Sequence, residues 1–272
     1  MMGRSIVITG ASGSMGTAAV EALAAEGWRV IMACRNLSKA ASVRRVVLSR
    51  HPYAVIELRQ LDLSSLHSVM AFAESLAGER IDVLFNNAGT ICRDWSLTED
   101  GYERSFQVNF LAPALLTIML SDNVGKVVSM VSLTCSLVNI GEDYTGDDRG
   151  SFSQLGSYAR AKLSMLLFSL ELSRRKGIKV DFSDPGVVNS NMISMGRWFD
   201  PVADIIFRPL CSSPQKGVRP ALNAIRNPLC GGAFTEPDYY VGKRVRKVNG
   251  KFTMHPASRN LYSMIEGLHS KK

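Results

Sequence analysis

The stretch that most restricts the fold lies at the N-terminal end. Arg4 to Thr9 is a short β-branched run (Ile6, Val7, Ile8) that stops at Thr9-Gly10-Ala11-Ser12-Gly13-Ser14-Met15-Gly16 and passes into an Ala-rich helix reaching about Glu26. A strand that is apolar at successive positions is one buried on both faces, as in a parallel sheet covered by helices. Small residues at the turn let backbone approach a pyrophosphate, and the free N–H groups of the helix start face it. A glycine triplet alone is often only a tight turn. At the first strand-to-helix junction it reads as an anion site, with Gly10, Ser12, Gly13, Ser14, Met15 and Gly16 against a nucleotide.

The rest of the chain repeats the alternation. Arg29 to Cys34 reads as a second strand, ending in Cys34-Arg35-Asn36. A carboxylate there would take the ribose hydroxyls, whereas a guanidinium pairs with a 2′-phosphate, so Arg35 points to NADP(H); its alternative is an unliganded surface arginine. A basic helix (Ser38 to Arg50) and a third strand (Ala54 to Gln60) lead to Asp62-Leu63-Ser64, a place for an adenine contact or the N-cap region of a helix through Leu76. Ile81 to Phe85 is a fourth strand ending in Asn86-Asn87-Ala88-Gly89, whose amides tie the sheet centre together or meet the cofactor. A helix from Glu99 to about Leu120 carries Asn109, a polar residue on an apolar face that needs a specific partner. Lys126 to Val131 is a fifth strand, ending at Ser132; a long polar connection, Leu133 to Ser157, follows. The sixth strand, Gly177 to Ser183, runs into Asp184-Pro185-Gly186-Val187-Val188-Asn189-Ser190. A helix from Pro214 to about Arg226 and a short strand near Tyr239 to Gly242 come later. This is the pattern of an α/β, doubly wound parallel sheet, a Rossmann fold, joined by right-handed crossovers. With no repeat or linker, residues 1–272 form one domain.

Tyr158 and Lys162 stand four apart in a run to Arg175 whose apolar residues recur at helical spacing, so they share a face. A phenol titrating near ~10 is a poor acid at neutral pH; a nearby ammonium favours the phenolate and lets the pair exchange a proton. Many ordinary amphipathic helices contain such a pair, so its weight comes from the surrounding motifs.

Bulk properties narrow the class. The 272 residues are 46% hydrophobic, enough for a large core. Five dispersed cysteines (Cys34, Cys92, Cys135, Cys211, Cys230) lack metal-ligand spacing and argue against a disulfide framework. No apolar run approaches the roughly 18 residues of a membrane span, and a strand begins at once, so a cytoplasmic location is expected. The net charge of +8 is densest at Lys243-Arg244-Val245-Arg246-Lys247 with Lys251. Without a nucleic-acid-binding motif this reads as a solvated basic face and no nucleic-acid partner is expected.

Taken together and in order, Thr9 to Gly16, Asn86 to Gly89, Asn109, Ser132, Tyr158 with Lys162, and Pro185-Gly186 make the chain resemble the short-chain dehydrogenase/reductase family over nearly its whole length. Ala33-Cys34-Arg35-Asn36, Phe106 to Pro113 and Asp184 to Ser190 resemble its retinol dehydrogenase and protochlorophyllide reductase-like branch. The resemblance implies an NADP(H)-dependent oxidoreductase acting on a lipophilic carbonyl or alcohol, with Tyr158 as acid/base and Ser132 orienting the carbonyl. It implies that Lys162 lowers the Tyr158 pKa and holds the nicotinamide ribose, and that Asn109 anchors a relay water. Asp62, Leu63, Asn87, Ala88 and Gly89 then join Arg35 on the nucleotide, and Pro185, Gly186, Val188 and Ser190 line the nicotinamide side. A catalytically silent nucleotide sensor of the same fold is the alternative, which the intact set Asn109, Ser132, Tyr158, Lys162 disfavours. Two departures stand out. Ser14 occupies the place of the branch's second glycine, and the stretch from Asn109 to Ser132 is short where a homodimer interface often forms, leaving a homodimer open.

The segment 191–213 leaves the sheet at the ligand-binding edge and holds Met192, Ile193, Met195, Trp198, Phe199, Val202, Ile205, Ile206, Phe207 and Leu210. It reads either as a substrate lid with an apolar face or as helices packed on the core or on a partner. The basic cluster nearby allows weak contact with an anionic membrane surface.

Overall fold

Strand β1 (Ser5–Thr9) is buried at every position because it lies mid-sheet, with β2 (Arg29–Cys34) on one side and β4 (Ile81–Asn86) on the other, both parallel to it. The computed structural model describes residues 3–186, 212–227 and 236–270. Its sheet has eight strands in the order β3-β2-β1-β4-β5-β6-β7-β8, where β3 is Ile56–Gln60, β5 Val124–Met130, β6 Lys179–Asp184, β7 Asp238–Val241 and β8 Arg244–Lys247. All neighbours run parallel except the β7–β8 pair. The order reverses between β1 and β4, which opens a crevice at their C-terminal ends, the usual ligand position in an open α/β sheet.

Each face of the sheet carries its own core. On one side α1 (Ser14–Ala25) and the helix Arg219–Arg226 pack with Ile6, Ile8, Val30 and Val128. On the other, α3 (Leu66–Glu74), α5 (Ala112–Met119) and α6 (Gln154–Lys176) pack with Val7, Leu84, Val127 and Phe182. Alternate residues of one strand thus serve opposite cores.

Several boundaries differ from expectation for identifiable reasons. The helix expected from Glu99 begins at Arg104, because Leu97 and Glu103 form an isolated antiparallel bridge around a turn with Gly101 at φ 82°. The Glu103 carboxylate then caps it, accepting the Ser105 and Phe106 amides at 2.7 Å each. Helix α6 starts at Gln154, so Tyr158 lies a turn inside it. The basic cluster forms β8, exposed at all four positions, and charge along an outer strand opposes pairing with another sheet. A C-terminal helix, Ala257–His269, was not foreseen; Ala257, Leu261 and Ile265, four apart, form its buried face, and it packs on α6, with Tyr262 stacked on Phe168 at 5.9 Å.

Most of the proposed lid, along with Val188 and Ser190, lies outside the described residues. Among the described residues no helix is long and apolar enough to cross a membrane.

Candidate active site

At the end of β1 the chain must turn sharply and leave room. Gly10 adopts φ 63°, and a Cβ there would stand 3.0 Å from Ala88 Cα. At Gly16 a Cβ would meet the Gly10 carbonyl oxygen at 2.4 Å and Ala11 Cα at 2.7 Å, so only glycine lets α1 sit this close to the turn. Gly13, the N-cap of α1, offers no side-chain cap, and its own amide closes the turn onto the Gly10 carbonyl at 2.9 Å. The Gly10, Gly13, Gly16 spacing therefore builds a tight cradle with Ser14 in place of the branch's glycine.

The cradle is the floor of a cleft of about 580 Å³. Gly10, Ser12, Gly13, Ser14, Met15 and Gly16 line it, with Arg35, Asp62, Leu63, Asn87, Ala88 and Gly89. Asn87 does double duty. Its amide and side chain bond Thr9 Oγ1 (3.1 Å) and the Thr9 carbonyl (2.8 Å), tying β4 to β1 while its backbone edges the cleft. Asp62 accepts the Ser64 amide and hydroxyl at 2.9 and 2.7 Å; the cap of α3 is Ser65. The cleft also contains Asn36, Lys39, Ser64, Thr90, Arg104 and Val108, which sequence reasoning did not single out. For Lys39 a signal existed: Asn36 caps α2 (Leu37–Arg50) by accepting the Lys39 amide at 2.8 Å, which sets Lys39 close behind Arg35. Among the described residues the exposed Arg35 and Lys39 side chains hydrogen-bond no protein group, leaving two cations at the cleft for an anionic ligand.

Beyond Gly89 the cleft meets Asn109 and Lys162, two of the residues that the sequence nominates for proton transfer. Asn109 lies in a π-helical turn, Gln107–Leu111, and its side-chain amide takes the Ser105 carbonyl one turn back at 2.9 Å. A side chain inserted into the ladder is a recognised cause of such a turn. The same side chain accepts the Thr90 amide at 2.9 Å and donates to the Thr90 carbonyl at 2.8 Å, clamping the loop that leaves β4. A Cβ on Gly89 would fall 2.9 Å from Asn109 Oδ1 and 3.3 Å from Lys162 Nζ. Gly89 thus joins cleft, Asn109 and Lys162 at one point.

Lys162 is buried and donates to the Met130 carbonyl at 3.0 Å, two residues before Ser132. Burial brings its pKa down to about 8. Its Nζ lies 5.9 Å from the ring centroid of half-buried Tyr158. The expected lowering of the phenol pKa by this ammonium is not found: burial, then the neighbouring Cys135 and Asp184, push it well above the ordinary phenol value. Desolvation outweighs the cation. Ser132 is half-buried and accepts the Thr134 hydroxyl (2.9 Å) and amide (3.3 Å), and among the described residues its own proton has no acceptor. Cys135, in the 3-10 turn Leu133–Leu137 packed on α6, is held as thiol, its pKa pushed up to about 12 by burial.

Pro185 and Gly186 follow the end of β6 and do not line the cleft; Gly186 takes φ 67° with its amide on Asp184 Oδ1 at 2.8 Å. Farther along, the Leu133–Ser157 connection is pinned to α6 by Asp147, which receives a two-pronged ion pair from Arg160 (2.9 and 2.6 Å) and the Tyr144 hydroxyl at 3.2 Å. Its length is explained by this anchoring across the helix that carries Tyr158.

The family model for short chain dehydrogenase matches residues 4–197. The chain belongs to the short-chain dehydrogenase/reductase family. That family places it among oxidoreductases that use a nicotinamide cofactor on carbonyls and alcohols. Human retinol dehydrogenase 13 is 32% identical over 239 residues, 80% of this chain and 71% of that protein. The zebrafish (Danio rerio) WW domain-containing oxidoreductase is 34% identical over 78% of this chain, which spans just over half (56%) of that longer protein. The retinol dehydrogenase-like branch is thereby supported. Among solved structures, an uncharacterised protein from Mycobacterium paratuberculosis superposes with TM-score 0.76 at 28% identity, covering 98% of this chain and 93% of that one. A short-chain dehydrogenase from Sphingobium yanoikuyae, determined with NADPH, has the same fold (TM-score 0.64, 20% identity, 99% and 96% covered).

Proposed function

We propose that this short-chain dehydrogenase is an NADP(H)-dependent enzyme that interconverts a carbonyl and an alcohol on a lipophilic small molecule, with Tyr158 as the acid/base. The observation that carries the reading is the convergence at Gly89, where the nucleotide cleft meets Asn109 and Lys162, on the same helix face as Tyr158. The residues present fit the cofactor: glycines that a Cβ would fill, an uncapped helix start, and unpartnered cations at Arg35 and Lys39. Gly10 to Gly16 would hold the pyrophosphate, Arg35 and Lys39 the 2′-phosphate, Asp62 and Leu63 the adenine, and Lys162 the nicotinamide ribose. Pro185, Gly186, Val188 and Ser190 would line the nicotinamide side. When bound, the cofactor supplies or receives the hydride.

The chain's own part is proton and charge management. Ser132, with its free O–H, donates to the substrate oxygen as negative charge grows there. Tyr158, kept protonated by its surroundings, gives that oxygen its proton in reduction. Asn109 holds the Thr90 backbone and a relay water beside Lys162, so a proton lost from Tyr158 is replaced.

The substrate class rests on the apolar composition of 191–213, which we assign as a lid that excludes water. The free thiols Cys34, Cys92 and Cys135 suit a reducing, cytoplasmic setting, and the basic β8 suits weak attraction to an anionic membrane surface. A homodimer remains part of the reading from the family resemblance alone. The test is loss of reduced-nicotinamide absorbance with a panel of retinoid, steroid and aromatic carbonyls. Turnover with bulky apolar carbonyls supports the reading. Binding of NADPH without turnover of any carbonyl or alcohol would favour the nucleotide-sensing alternative.

A further inference from the structure

Asp184 closes β6, and its carboxylate is 1% exposed. A carboxylate is costly to bury unless donors fill its oxygens. Here Oδ1 accepts the Gly186 amide at 2.8 Å, and Oδ2 accepts the Tyr239 hydroxyl from β7 at 2.9 Å. The amide of Leu133, immediately after Ser132, also faces this carboxylate and works, with the other two donors, against the upward push that burial gives its pKa. One buried side chain therefore connects three places: the loop bearing Ser132, the Pro185-Gly186 turn, and β7. The sheet does not need these bonds for its register, since Met130 already pairs with Ser183 and Asp184 with Val241 through backbone. The carboxylate shapes the turn as well, because its bond to an amide two residues on closes the Asx-type geometry that Gly186 completes in the left-handed region.

We infer that Asp184 and Tyr239 are positioning residues for the reacting end of the site: the carboxylate sets Ser132 relative to the Pro185-Gly186 turn, and the Tyr239 hydroxyl sets the carboxylate. This rests on the oxidoreductase reading given above. The half-buried Tyr239 packs against the core beneath, which orients its hydroxyl, while Asp184 faces the Tyr158 phenol and the Cys135 thiol from across the loop. The negative charge of Asp184 opposes ionisation of Tyr158, so the same carboxylate that holds the geometry also helps keep the acid protonated.

Two near-isosteric variants test this. Tyr239→Phe keeps the ring and removes only the hydroxyl; Asp184→Asn keeps the shape and removes the charge. For Tyr239→Phe we expect kcat for carbonyl reduction to fall about tenfold, the loss of one hydrogen bond to a charged group, with NADPH affinity changed by less than about threefold because the nucleotide cleft is untouched. For Asp184→Asn we expect the rise of alcohol oxidation with pH to move to lower pH, since Tyr158 ionises more readily. A merely structural staple between β6 and β7 would lower the melting temperature and move neither kcat nor the pH profile. That result, or kcat within about twofold of the unaltered protein in both variants, overturns the inference alone. An unaltered protein that neither binds NADPH nor turns over any carbonyl overturns the oxidoreductase reading and the inference with it. Should Asp184→Asn fail to fold, Tyr239→Phe decides by itself.

Discussion

Lys162 Nζ stands 5.9 Å from the Tyr158 ring centroid and donates its hydrogen bond to the Met130 carbonyl at 3.0 Å. The two groups share a helix face, yet burial governs both. The lysine comes down to about 8 and the phenol rises above its ordinary value. Near neutral pH the pair is a protonated phenol beside an ammonium close to its own titration.

Tyr158→Phe should abolish turnover while leaving NADPH affinity nearly unchanged, because only the proton donor is lost. In the unaltered protein, reduction should proceed at neutral pH without need of a raised pH, and alcohol oxidation should climb as pH rises, since oxidation needs the phenolate. Initial rates in both directions across pH, with cofactor binding by fluorescence, check this. Near-normal kcat in Tyr158→Phe would require another acid.

The buried lysine carries a stability cost whose pH dependence has a definite sign. Its folded pKa of about 8 lies below the ordinary 10.5, so between these values the unfolded chain binds more protons and stability rises with pH. The cost is fully present below about 8 and gone above 10.5. Lys162→Met, which keeps most of the aliphatic stem, should stabilise the fold at neutral pH by ~1–2 kcal/mol after the Met130 carbonyl loses its donor. Denaturant unfolding at neutral pH and above pH 10.5 tests it: the advantage must vanish at the higher pH. An advantage independent of pH would assign the effect to packing.

Arg35 and Lys39 should together set the cofactor preference. Arg35→Ala is expected to weaken NADPH about tenfold and leave NADH nearly unchanged, as a charge-assisted contact to the 2′-phosphate would. Adding Lys39→Ala should erase what preference remains. Titration with both cofactors measures it, and equal affinities in the unaltered protein would remove the NADP(H) assignment.

Gly16→Ala places a Cβ 2.4 Å from the Gly10 carbonyl oxygen and 2.7 Å from Ala11 Cα, and both obstacles are backbone. The turn must open. We expect a loss of ~1–3 kcal/mol in stability and of NADPH binding by at least about tenfold. Gly267→Ala on the C-terminal helix, where a Cβ meets nothing within 4 Å, is the control and should leave cofactor binding unchanged.

Much of the proposed nucleotide half of this site was legible in sequence because the cleft is built from contiguous pieces. A strand apolar at every position, a glycine turn and a helix start each leave a local signature, and their order along the chain implies a doubly wound sheet. The residues from Gly10 to Gly16 and from Asn87 to Gly89 therefore lay where the pattern put them. The reacting half was legible as residue types only. Spacing set Tyr158 and Lys162 on one face, but their protonation depends on how much surrounding chain excludes water, which no local pattern carries. The same holds for the π-helical turn at Asn109, the Lys39 contribution to the cleft, the strand made by the basic cluster, and the bond from Tyr239 to Asp184 across 55 residues of chain. Backbone conformation answers to near neighbours, whereas burial and partner choice answer to residues brought together only when the sheet closes around them.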